Sequence, residues 1–403
     1  MISVDEALKH VLDHTFPLPV TSLDLSAVLG RTLAADVTSD IDSPPHDKSL
    51  VDGYALRTSD LGRANALFKV LEEVTAGETP TCKVTKDSVV RIMTGAAIPE
   101  GADAVVMLEE TEARGAEAVL IRRSSLTVGS NIMRRGTSLR QGDTVLEAGA
   151  TIRPLEVGLL SEIGRSQVFV QEVPRVAILA TGNELVPSDH RPKSGQIRNS
   201  NGPMLTALAR SATASAVDLG IGRDDRDILA QLVTEGLRSD VLILSGGVSA
   251  GVLDLVPGVL EAAGVEQVFH KVNLKPGKPL WFGVVSQQGQ TLVFGLPGNP
   301  VSGFVCFELF VRPALDRLAG RTASSAGRRR FRLACEHTHR GSRPTYYPAA
   351  WEESVDDQPA TAKPLAWRGS ADLRSLTACN CLLVLPAGDY TLGAGQWVDG
   401  LVI

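Results

Sequence analysis

The chain opens on a helical pattern. Val4, Ala7, Leu8, Val11 and Leu12 recur at the spacing of one helix face, and Ser3 with Glu6 forms a capping box in front of them. From Asp42 to Gly142 the pattern changes to short apolar runs, 88–93 and 104–108 among them, divided by Gly, Pro and Thr; this predicts a strand-rich domain. Between Gly142 and Val173 one helical candidate stands out, residues 154–163, closed by Gly164.

Residues 174–320 alternate continuous apolar runs with amphipathic stretches. Runs 176–180, 241–244 and 292–294 suit buried parallel strands, while 204–209, 228–237 and 301–318 carry helical spacing. Together they predict a parallel α/β sheet with right-handed crossovers, whose ligands sit outside the carboxyl ends of the strands. Residues 320–330, rich in Ser, Ala, Gly and Arg, read as a linker. Beyond them, runs such as 381–385 and 397–403 predict a small C-terminal β-domain. The fold class is a multidomain α/β protein built around the parallel-sheet domain.

A length of 403 residues exceeds one hydrophobic core and implies two to four domains. An aromatic share of 4% and a net charge of -6 argue against base stacking and against a phosphate-backbone footprint, so no nucleic-acid partner is expected. Cysteine is odd in number and lacks C-x-x-C. Cys82, Cys306 and Cys335 stand alone, Cys379 and Cys381 share one face of a predicted strand, and all five are expected to be buried, reduced thiols. The start of the chain lacks a basic region followed by an apolar core, and no apolar stretch reaches the roughly 18 residues of a membrane span. A cytoplasmic protein without membrane contact is expected.

Each predicted central strand runs into a loop of unusual chemistry. The first reads Thr181-Gly182-Asn183-Glu184-Leu185, the second Ser245-Gly246-Gly247-Val248-Ser249-Ala250-Gly251, and the third Leu296-Pro297-Gly298-Asn299-Pro300-Val301-Ser302-Gly303. Glycine lets backbone amides approach a ligand, and a helix N-terminus adds unpaired N–H groups and a positive dipole end. One such loop is an ordinary turn; three at corresponding strand ends point to an anion site. Glu184, Asp224, Asp225 and Asp254 are predicted at the same edge, where their mutual repulsion favours a cation. An all-oxygen set suits Mg²⁺ completed by waters and phosphate. Lys271, Lys275 and Lys278, stiffened by Pro276 and Pro279, form a candidate phosphate or oxyanion clamp.

Common signatures are missing: there is no P-loop, dinucleotide fingerprint or H-E-x-x-H. Residues 247–251 match the G-x-S-x-G nucleophile elbow, with His270 as a possible base. The context is wrong for a hydrolase, because the apolar run ends at Leu244 and Ser245-Gly246 intervene. His337 and His339 sit at i, i+2 without further ligands and read as an exposed strand face.

Six strings, in order, resemble the molybdopterin molybdenumtransferase family, which includes bacterial MoeA, the gephyrin E domain and the plant Cnx E domain. They are Val51-Asp52-Gly53-Tyr54-Ala55, Met93-Thr94-Gly95-Ala96, Thr181-Gly182-Asn183-Glu184-Leu185, Ser245-Gly246-Gly247-Val248-Ser249, Lys275-Pro276-Gly277-Lys278-Pro279 and Leu296-Pro297-Gly298-Asn299-Pro300-Val301-Ser302. The resemblance spans essentially the whole chain. It implies a bipartite N-terminal dimerisation domain (1–41 and 143–173), an inserted β-rich domain (42–142), the α/β molybdopterin-binding domain (174–325) and a C-terminal β-barrel (326–403).

The activity it implies is the reaction of molybdate with adenylylated molybdopterin to give molybdenum cofactor and AMP, with Mg²⁺ at Glu184, Asp224 and Asp254. Lys271 and Lys275 join these acids in catalysis. Asp52 and Thr94 would approach from the partner subunit of a homodimer, Asp52 holding the metal, a water or the oxyanion. Substrate binding would fall to Gly182, Ser245, Gly246, Gly247, Ser249, Lys278, Pro297, Gly298, Asn299, Ser302 and Ser370. Transient contacts with the molybdopterin-adenylylating enzyme and with apo-molybdoenzymes are implied too.

The chain departs from the family pattern at four places. Thr137 and Ser138 replace a Glu-Asp pair, Pro257 replaces a lysine, Val252 an often acidic residue, and Gly369-Ser370-Ala371 a Gly-Ser-Gly. Two alternatives stay in view: a molybdopterin adenylyltransferase, which resembles residues 174–320 alone, and a catalytically weak scaffold of the same fold.

Overall fold

The computed structural model describes residues 1–247, 255–285, 290–321, 327–353 and 359–403. They group into two compact units, one of 1–34, 149–154 and 167–403, the other of 35–148 and 155–166.

In the first unit the opening helix α1 (Val4–Asp13) forms as its pattern predicts, with both halves of the Ser3–Glu6 capping box made. Its Val4, Ala7 and Val11 enter the core. The α/β part runs through β1 (Arg175–Thr181), α2 (Asn201–Ser211), β2 (Ser215–Gly222), α3 (Arg226–Gly236), β3 (Val241–Ser245), α4 (Leu255–Ala262), β4 (Glu266–His270), β5 (Trp281–Val285), β6 (Thr291–Leu296) and α5 (Pro300–Cys306). A π-helical turn, Phe307–Val311, then leads into α6 (Arg312–Leu318). The predicted single helix over 301–318 therefore carries a π insertion. The buried Glu308 of that turn is paired with Arg312, Oε2 accepting from Nε at 2.5 Å and Oε1 from Nη2 at 2.9 Å. Burial leaves such a carboxylate no alternative to a partner.

The sheet order is β2-β1-β3-β6-β5-β4. Alternate residues of each central strand feed opposite faces: Val176, Ile178, Val241 and Ile243 pack with α2 and α5 on one side. Ala177, Leu179, Leu242 and Leu244 pack with α3 and α4 on the other. Burial on both faces explains the uninterrupted apolar runs. One expectation is overturned: the sheet is mixed, because β5 runs antiparallel to both β6 and β4. Its reversal has a consequence for the site. The register His270↔Trp281, Trp281↔Gly295, Leu244↔Gly295 and Leu179↔Leu244 sets the carboxyl end of β4 level with those of β1, β3 and β6.

Arg328–Leu333, Thr361–Pro364, Thr345–Glu352, Cys381–Leu385 and Trp397–Val402, in that order, close into a barrel around Phe331, Leu333, Leu383 and Leu385. The predicted linker is shorter than expected, since Arg328, Arg329 and Arg330 pair with the final strand. The histidine expectation fails as well: His339 is only 4% exposed. Of the five free cysteines only Cys306 and Cys381 are buried, Cys335 is exposed, and Cys379 precedes the strand that holds Cys381.

The second unit is strand-rich, as predicted. Its six-stranded sheet runs Ala104–Met107, Gly53–Leu56, Ser88–Ile92, Ala66–Val74, Ala118–Ile121 and Thr111–Ala113. Tyr54 and Leu56 face one core and Ala55 the other, the alternation of a strand buried on both sides. The helix predicted at 154–163 forms as Pro154–Glu162, and Gly164 follows it with φ +72°.

Candidate active site

The carboxyl edge of the α/β sheet encloses a cavity of about 620 Å³. Its lining includes Gly182, Glu184, Asp224, Ser245, Gly246, Gly247, Pro297, Gly298 and Asn299, so three loops predicted from sequence and two acids share one space. The loops are built by local chemistry. Gly246 has φ +94°, and a Cβ there would lie 2.6 Å from the Thr181 carbonyl oxygen, so only glycine fits between the ends of β3 and β1. The Gly246 N–H donates to Leu296 O at 3.1 Å, and the Gly182 N–H to Gly222 O at 3.1 Å, tying neighbouring loops together.

The acidic side of the cavity is held by Arg223, a residue the sequence reading passed over. Its Nη1 donates to the carbonyls of Asn183 and Leu185, each at 3.0 Å, while the Asp224 N–H donates to Asn183 Oδ1 at 3.1 Å. Glu184 folds back over Gly182, so that a Cβ on Gly182 would meet its Oε1 at 2.7 Å. Asp225 has a different task from Asp224: it caps α3, its Oδ1 accepting from the N–H groups of Asp227 and Ile228 at 3.0 Å each. Asp254 and Ser249 lie outside the described residues. Among the described residues no group of three or more His, Cys, Asp or Glu is arranged to hold a metal.

At the start of α5, Asn299 is the N-cap with Pro300 behind it, and its side chain makes no capping bond. The Val301 N–H is taken by the carbonyl of Ser370, a residue expected to bind substrate, and the neighbouring Ala371 lines the cavity. Ser302 is buried within α5, outside the lining. Asn201, which the sequence reading did not single out, lines the cavity from the first turn of α2. Its only sequence signal was the Asn199-Ser200-Asn201 cluster ahead of a helical pattern.

The lysine loop connects β4 to β5 and lies at the same edge, although Lys271, Lys275 and Lys278 themselves are outside the cavity lining, which reaches Pro279. The loop is fastened to the barrel: the Lys275 N–H donates to Pro344 O and the Tyr346 N–H to Lys275 O, both at 2.8 Å, while Arg343 Nη1 donates to Leu274 O at 2.7 Å. Gly277, at φ +115°, packs so closely that a Cβ would lie 2.6 Å from Cys306 Sγ.

In the second unit Asp52 and Thr94 meet. Gly53 lets its strand approach Val106, whose carbonyl oxygen a side chain would strike, and Asp52 O accepts from the Leu108 N–H at 3.1 Å. The Asp52 carboxylate then accepts from Thr94, whose hydrogen bonds hold it below the usual carboxylate range. Near the departures at Thr137 and Ser138, Arg135 Nε donates to Asp42 at 2.5 Å and the Arg135 N–H to Asp47 at 2.8 Å, so the arginine pair keeps carboxylate partners.

A doubly wound sheet with glycine loops and acids around a cavity at its carboxyl edge, joined to a closed barrel, defines a multidomain α/β protein of the kind that binds ligands beyond the strand ends. Comparison with known proteins narrows this. Family models match residues 2–164 (MoeA N-terminal region, domain I and II), 177–317 (probable molybdopterin binding domain) and 330–403 (MoeA C-terminal region, domain IV). The chain is 34% identical to the molybdopterin molybdenumtransferase of Staphylococcus aureus (strain COL), over 99% of this chain and 94% of that protein. It is 32% identical, with the same coverage, to the one of Staphylococcus epidermidis. The crystal structure of the molybdopterin biosynthesis MoeA protein from Pyrococcus horikoshii superposes with a TM-score of 0.84 at 30% identity, covering 100% of this chain and 99% of that one. The chain belongs to the molybdopterin molybdenumtransferase (MoeA) family.

Proposed function

We propose that this protein is a molybdenum insertase: it binds adenylylated molybdopterin, cleaves the phosphoanhydride, releases AMP and transfers molybdenum from molybdate to the pterin dithiolene. The observation that carries the reading is the meeting, around one cavity, of three glycine loops, Glu184 and Asp224, with the lysine loop at the same sheet edge.

The loop amides donate to the pterin and adenylyl phosphates, and Lys271, Lys275 and Lys278 hold phosphate or molybdate. Two carboxylates on one cavity suit Mg²⁺, which takes one or two of them with waters and phosphate oxygens; Glu184 and Asp224, with Asp254, would hold it. There it would offset phosphate charge as the anhydride breaks. Asp52, kept ionised by Thr94, supplies a fixed carboxylate for a water, the metal or the oxyanion.

The working form is a homodimer of four-domain subunits divided at 1–41 with 143–173, 42–142, 174–325 and 326–403. It acts in the cytoplasm, receiving substrate from the adenylylating enzyme and passing product to apo-molybdoenzymes. No helix among the described residues is long and apolar enough to cross a membrane. Adenylyl transfer accounts less well for the chain, because it leaves the matched regions 2–164 and 330–403 without a task.

The test is AMP release from adenylylated molybdopterin by the purified protein with Mg²⁺, with and without molybdate. Molybdate-dependent release supports insertion; tight binding with no release in either condition replaces it with the scaffold reading.

A further inference from the structure

Asn201 is 8% exposed and stands where two of the cavity loops meet. Its Nδ2 donates to Ser245 Oγ at 2.8 Å and to Gly298 O at 2.7 Å. A carbonyl oxygen only accepts, so the contact with Gly298 fixes which end of the carboxamide is the nitrogen.

Both contacts decide what the loops offer a ligand. With a donor directed at Ser245 Oγ, the hydroxyl proton is left to point elsewhere, and the Ser245 hydroxyl donates to no described residue. The Gly298–Asn299 peptide is trans, so drawing the Gly298 carbonyl toward Asn201 turns the Asn299 N–H away from it. That N–H makes no hydrogen bond among the described residues, and Asn299 lines the cavity. Asn201 Oδ1 is buried without a hydrogen-bond partner, so the carboxamide's hydrogen bonds among the described residues are the two that it donates.

We infer that Asn201 is a positioning residue that leaves the Ser245 hydroxyl to donate and sets the orientation of the Asn299 N–H, making this wall of the cavity selective for an acceptor-only ligand, a phosphate group. The inference rests on the insertase reading for the identity of the phosphate, that of AMP and its pterin ester. A carboxylate of the same shape at this position reverses the arrangement: it accepts from Ser245 and repels the Gly298 carbonyl.

The experiment is calorimetric titration of the full-length protein and its Asn201→Asp, Asn201→Ala and Leu205→Ala variants with AMP, alongside thermal unfolding of each. Leu205 is buried on the same helix and touches neither loop through a polar atom, so its variant reports simple destabilisation. The expected result is a loss of AMP affinity of about tenfold or more in both Asn201 variants, with Leu205→Ala unfolding earlier but binding AMP normally. Adding Ser245→Ala to Asn201→Ala should cost less than the sum of the two single losses, because the residues act through one contact. Unchanged AMP affinity in Asn201→Asp and Asn201→Ala, or equal loss in Leu205→Ala, overturns the positioning role. Failure of the insertase reading shows separately, as absence of molybdate-dependent AMP release by the wild-type protein, and leaves this binding comparison standing.

Discussion

Thr94 donates both its backbone N–H and its hydroxyl to the same oxygen of Asp52, each at 2.7 Å. The two bonds stabilise the ionised carboxylate and leave its other oxygen without a hydrogen bond among the described residues. With the folded pKa lowered, Asp52 stays charged down to acidic pH and loses that charge only as pH falls through the lowered value. Thr94→Val keeps the N–H bond and removes the hydroxyl bond, so the acidic limb of the pH–rate profile for AMP release should move to higher pH. Asp52→Ala should lower the rate about 100-fold or more. An acidic limb that stays in place in Thr94→Val would show that Asp52 does not govern it.

Lys275 is held through its backbone, by the bonds to Pro344 and Tyr346, so its side chain is dispensable for folding. Lys275→Ala should unfold at the wild-type temperature while binding molybdate or pterin phosphate about tenfold more weakly. Equal affinity in a titration removes it from the anion clamp.

Gly277 makes the complementary case. An alanine there must adopt φ +115° and press a methyl group onto Cys306 Sγ at 2.6 Å. Gly277→Ala should cost about 1–3 kcal/mol of stability and weaken the same ligands by displacing the loop, read by denaturant unfolding and titration together. Wild-type stability would mean that the loop shifts freely.

Glu184 and Asp224 share the cavity wall. If they hold Mg²⁺, Glu184→Gln and Asp224→Asn should each raise the Mg²⁺ concentration that half-saturates AMP release by about tenfold or more. An unchanged midpoint in both variants would place the ion elsewhere.

His337 and His339 lie on one short strand, His337–His339, which pairs with Tyr390–Leu392 beside the barrel, and both have lowered pKa values. Burial is the main cause for each, followed by the neighbouring His339 for the first and the Lys275 charge for the second, which Asp389 opposes. Because the fold favours the neutral rings, their contribution to stability is present above the ordinary value of 6.5 and is lost as pH falls through the lowered folded values. The unfolding temperature should drop across that window, and the double variant His337→Gln, His339→Gln should drop less. Parallel curves for the two proteins would exclude the histidines as the cause.

The sequence by itself determined α1 with its cap, the central strands, the strand-rich second unit, and the three glycine loops with Glu184 and Asp224. Each is written in local terms: burial periodicity, a capping residue, a turn that only glycine can make. Asp225 shows the limit, since a carboxylate beside Asp224 looks the same in sequence whether it faces a ligand or caps α3.

Tertiary structure alone decided the direction of β5, which carries the lysine loop to the edge where the other loops open. It also brought Asp52 to a threonine 42 residues away, buried His339 and set Asn201 between two loops. These relationships depend on which strands become neighbours and in which direction they run, and that follows from packing a whole sheet between its helices, where no short window of sequence carries the information.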